Sequence, residues 1–80
     1  MAQGQKSFEN LASGSVRAFN HLVSAVSQFS GLNEDDAVKV ARFYRKNKFV
    51  KFDAIHGTSH VKHGQFLERD VLLRALDMAQ

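Results

Sequence analysis

Seven cationic side chains, Lys39, Arg42, Arg45, Lys46, Lys48, Lys51 and Lys62, fall within residues 39–63 against a single carboxylate, Asp53. That stretch carries +6, whereas residues 1–38 sum to −2 and residues 64–80 to −1. Each lysine or arginine that meets a phosphate releases condensed counterions, so the chemistry on offer is the gripping of a polyanion. A segregated positive field attracts nucleic acid, an acidic protein face or anionic lipid, and by itself does not choose among them. The bland reading is a solvated helix face whose cations complement the negative end of the helix dipole.

Three imidazoles, His56, His60 and His63, sit within eight residues of one another, which raises zinc. Strand alternation puts His56 and His63 on one face and His60 with Asp53 on the other, and no cysteine completes a ligand set. No metal or other cofactor is therefore expected. His60 is kept as a phosphate contact whose charge depends on pH. Phe49, Phe52 and Phe66 could stack on unpaired bases, but on a two-sided hairpin they read as the packing that fastens it to helices. Tyr44 is expected to turn its ring inward and its hydroxyl to water. The chain shows no glycine-rich phosphate loop, no paired carboxylates with a cleft, and no arrangement of Ser, His and Asp. The expectation is a non-enzyme.

The elements that must position these groups come from 80 residues, the length of one domain, 1–80, with residues 1–6 expected to be flexible. At 44% hydrophobic and 24% charged the composition is that of a folded domain. A core of this size supplies only a few kcal/mol, which leaves room for a homodimer. The absence of cysteine removes disulfide scaffolds. No apolar signal region and no membrane-spanning run are visible, so the expected location is cytoplasmic, or with a nucleoid or virion, and no membrane partner is expected.

Apolar residues at Phe8, Leu11, Ala18, Phe19, Leu22, Val23, Val26 and Phe29 follow the three-and-four spacing of one helical face. Gly14, between Ser13 and Ser15, predicts a kink or a break there. Ala12, Ser15 and Ala18 would allow another helix to approach closely. In SGLNEDD, Gly31 suits a left-handed C-terminal cap and Asn33 an N-cap, with Glu34, Asp35 and Asp36 on the positive end of the next dipole. The second helix turns Ala37, Val40, Ala41 and Tyr44 inward, with Phe43 near them, and carries Lys39, Arg42 and Lys46 as a stripe beside Arg45.

After Lys48 the period falls to two. Gly57 and Thr58 predict a two-residue hairpin turn, with Asp53 opposite Lys62 and Phe52 opposite His63. Val50, Phe52, Ala54 and Val61 then share one face; Lys51, Asp53, Ile55, His60 and Lys62 share the other. The last helix is FLERDVLLRALDMAQ, with an apolar side of Leu67, Val71, Leu72, Ala75, Leu76 and Ala79, and Asp70 and Arg74 are spaced for an i,i+4 pair. The expected class is α+β, a small helical domain with one antiparallel hairpin, in the order helix, helix, hairpin, helix.

Across HLVSAVSQFSGLNEDDAVKVARFYRKNKFVKFDAIHGTSHVKHGQF, residues 21–66, this order resembles the winged helix-turn-helix superfamily. The resemblance implies binding of double-stranded DNA, with residues 37–46 as the recognition helix and the strands flanking Gly57 as the wing. Because Glu34, Asp35 and Asp36 would repel phosphates, contacts are expected at Lys39, Arg42, Arg45, Lys46 and Lys48 on the helix and its end. On the wing they are expected at Lys51, His60 and Lys62. The alternative is a protein-interaction module, such as a small viral structural or host-inhibitor protein, docking an acidic partner through the same helix and hairpin.

Overall fold

A computed structural model describes the backbone of residues 2–80 and the side chains of residues 14–80. The expectation of flexibility over 1–6, and those resting on the side chains of Phe8, Leu11 and Ala12, fall outside the described side chains. The order is α1 (Ala2–Ser30), α2 (Glu34–Lys46), β1 (Val50–Asp53), β2 (Thr58–Val61), a 3₁₀ turn (Gly64–Leu67) and α3 (Arg69–Ala79). The protein is thus an α+β domain in which three helices carry one antiparallel hairpin.

α1 passes through Gly14 without a break. The glycine serves a different purpose: a Cβ there would lie 2.5 Å from the Ala54 carbonyl oxygen, so only glycine lets the hairpin loop come this close to the helix. α1 buries Ala18, Leu22, Val23 and Val26. Phe29, expected on the same face, is instead 51% exposed. Ser30 takes the inward place, its hydroxyl donating to the Val26 carbonyl at 2.5 Å. Gly31, at φ 78°, ends the helix and donates to Ser27 O at 2.8 Å, as a left-handed cap should.

α2 begins on Asn33, whose side-chain oxygen accepts from the Asp36 N–H at 2.9 Å. Its buried residues are Ala37, Val40, Ala41 and Tyr44, the predicted face. At the other end Lys48 N–H donates to Arg45 O at 3.1 Å and Phe49 N–H to Tyr44 O at 2.9 Å. This is a Schellman cap, with Lys48 at φ 60° where glycine is usual. The Tyr44 and Phe49 rings, 5.7 Å apart and edge-on, supply the apolar contact that accompanies such a cap.

The hairpin register differs from the prediction: Val50 faces Val61, Lys51 faces His60, Phe52 faces Ser59 and Asp53 faces Thr58. Thr58 therefore belongs to β2, and residues 54–57 form the loop. The cause is Asp53, whose carboxylate accepts from the His56 backbone N–H at 3.1 Å and pairs with the His56 ring at 2.6 Å, folding a longer turn than glycine position alone suggests. Gly57 closes that loop at φ 65°. The slip is by an even number of residues, so Val50, Phe52 and Val61 still share the inner face while Lys51, Asp53 and His60 share the outer one.

One core joins all parts: Leu22, Val23 and Val26 of α1, the buried face of α2, Val50, and Leu72 and Ala75 of α3. Phe49, Phe52 and Phe66 pack against it half-buried, fastening the hairpin and the 3₁₀ turn as expected. β2 is also clipped to α1 by polar contacts: the Ser59 N–H donates to His21 Nδ1 at 3.0 Å, and the Ser59 hydroxyl donates to the Ala18 carbonyl. No described helix is long and apolar enough to cross a membrane.

Candidate nucleic-acid interface

The cations of α2 lie opposite its buried face because their spacing is i, i+3, i+7, which returns to one side of a helix every turn. Lys39, Arg42 and Lys46 line one edge of a groove of about 430 Å³ whose other edge is Met78 and Ala79 at the end of α3. Arg45 leaves this stripe and lies over the Phe52 ring, its guanidinium carbon 5.5 Å from the ring centroid. A cation held against an aromatic face loses little freedom on meeting an anion. Arg45 thereby links α2 to the hairpin.

Lys51 and His60 are directly paired across the strands on the outer face. Lys62 follows β2, its backbone N–H bonded to Phe49 O at 2.9 Å, and Lys48 occupies the cap that joins α2 to β1. All eight predicted contact residues are exposed. Among the described residues, only Lys39 of the seven lysines and arginines is paired with a carboxylate, Asp36 at 3.9 Å. Three groups therefore form: Lys39, Arg42 and Lys46 on the groove, Arg45 at the junction, and Lys51 with His60 on the hairpin. Phe52 and Lys51 are strand neighbours on opposite faces, so the hairpin pair points away from the Arg45 contact.

The imidazoles separate. His56 pairs with Asp53 at 2.6 Å, contrary to the expected grouping of Asp53 with His60 alone. Hydrogen bonds from the His56 ring and backbone hold the Asp53 carboxyl below its ordinary value. His60 Nε2 lies 3.5 Å from the Thr58 hydroxyl, and the His63 ring packs on Phe66 at 5.8 Å. Among the described residues, no three histidines, aspartates or glutamates come together as a metal would require.

Tyr44 corrects another expectation. Its hydroxyl reaches the Phe66 carbonyl at 2.7 Å instead of water, and burial pushes the phenol up to about 12. Sequence reasoning also missed Arg74. No ion pair with Asp70 forms among the described residues; Arg74 instead lines a second, apolar cavity of about 220 Å³ between α2 and α3. The alternation of Phe43, Phe49 and Phe66 with basic residues was the available signal for that cavity, but the signal says nothing of which rings leave a gap. Comparison with protein-family models, with characterised proteins and with solved structures finds no match for this chain.

Proposed function

We propose that this protein is a small, non-enzymatic DNA-binding domain, a transcriptional or architectural regulator that holds duplex DNA by its phosphates in the manner of a winged helix. One observation carries the reading: seven exposed lysines and arginines within residues 39–62, six of them with no carboxylate partner among the described residues. Arg45 supports it by holding positive charge at the junction of helix and hairpin. Glu34 and Asp35, exposed in the first turn of α2, and the half-buried Asp36 repel the backbone there, so the contact runs through Arg42, Arg45, Lys46 and Lys48, while Lys51 and His60 on the outer face of the hairpin, with Lys62 after it, meet a separate stretch of backbone. Such binding is dominated by charge and weakly selective for sequence. A cytoplasmic, nucleoid or virion setting goes with this reading.

Titration of labelled duplex over a salt series tests it. Log affinity should fall linearly with log salt, and the double variant Arg42→Gln, Lys46→Gln should reduce that slope by about 2, one unit for each lost phosphate contact. Affinity that is absent at low salt, or indifferent to salt, rejects the proposal. The acidic first turn of α2 favours the alternative, an acidic protein partner on the same cations. Loss of partner capture by the double variant with duplex binding unchanged would select it.

A further inference from the structure

We infer that the groove between α2 and α3 docks a short acidic peptide segment carrying one large apolar side chain. Phe43, Tyr44, Phe49, Phe66, Val71 and Met78 line a half-open pocket of about 220 Å³. That is below the ~300–1,000 Å³ of pockets that hold a drug-sized molecule, and suits a single anchoring side chain. Phe49 and Phe66 stack at 4.6 Å with 14° between their planes, giving the cavity a rigid wall. Met78 stands at its edge 67% exposed, so a flexible thioether is available to adapt to what enters.

The polar groups around the cavity are few and mostly engaged. The Tyr44 hydroxyl is used by Phe66 O, and the Asn47 amide donates to Phe43 O at 2.8 Å. A nucleobase would bury ring nitrogens and carbonyls without partners here, whereas an aliphatic or aromatic side chain would not. Arg74 lines the cavity itself, and Lys39, Arg42 and Lys46 run along the groove that joins it at Phe43, Asn47 and Met78. No carboxylate is among the described residues lining either space. An apolar anchor flanked by carboxylates is the complement of this surface, since the anchor supplies affinity and the charges supply register. The inference does not depend on duplex binding.

The probe is a labelled acidic peptide with one central phenylalanine, compared with the same peptide carrying alanine there. The phenylalanine peptide should bind roughly tenfold or more tightly. Val71→Phe, which fills the cavity, and Met78→Gln, which makes its exposed edge polar, should each abolish or reduce that preference. Arg74→Gln should weaken both peptides while duplex affinity stays unchanged. Thermal melts confirm that each variant folds, and Met78→Gln, at an exposed position, decides the matter if Val71→Phe does not. Equal affinity for the two peptides overturns the inference, as does a preference that survives Met78→Gln. So do Phe49 and Phe66 ring resonances that shift with a single-stranded oligonucleotide and not with the peptide. Concentration-dependent dimerisation lost in Met78→Gln would assign the groove to a second copy of the chain and equally overturn it.

Discussion

Gly14 shows how a single hydrogen can decide how two elements meet. Alanine there would raise helix propensity by about 1 kcal/mol, the usual gain from replacing glycine in a helix. Yet its methyl would lie 2.5 Å from a backbone oxygen that no rotamer can move. Gly14→Ala is therefore expected to destabilise the domain by about 1–3 kcal/mol, the range for forced overpacking, as read by urea denaturation. Tyr44 is the chain's single tyrosine, so its titration is free of overlap. Its phenol, raised by burial to about 12, stabilises the fold fully below the unfolded value of about 10, and the contribution is lost as pH rises toward the folded value. A phenolate absorbance titration should show the displaced midpoint, and Tyr44→Phe should cost about 1 kcal/mol by leaving the Phe66 carbonyl without its donor.

At the scale of elements, the α1–α2 turn and the far end of α2 differ in how well local chemistry serves them. Asn33 and Gly31 perform the roles their residue types predict, because caps depend on a few neighbouring atoms. Lys48 does not suit its place. It holds a left-handed conformation that costs a side chain about 1 kcal/mol, so Lys48→Gly should raise stability by about that amount in thermal or urea unfolding. The hairpin illustrates what period can and cannot tell. Alternation assigns the strand residues to their faces, since a slip by an even number of residues leaves them in place, but Ala54 and Ile55, expected on those faces, lie in the loop. The turn itself was misplaced, because Asp53 and His56 close a loop through side-chain bonds that strand pattern does not encode.

For the whole molecule, stability rests on one shared core, with Leu72 fully buried where α3 meets the rest. Leu72→Ala should cost about 2–5 kcal/mol, a large part of the roughly 4–12 kcal/mol available to a domain of this length, and calorimetry should show a much lower Tm. The basic residues, the buried faces of α2 and α3 and the order of elements are all written in residue type and spacing. Those features follow from short-range rules, periods of 3.6 and 2 and caps at helix ends, so the sequence alone determines them. Only the tertiary structure decides that Gly14 receives the Ala54 carbonyl, that His21 and Ala18 hold Ser59, that Arg45 covers Phe52, and that Arg74 turns to an aromatic cavity instead of Asp70. Each of these joins atoms far apart along the chain. Their distance is set by how whole elements pack, and no local pattern contains it.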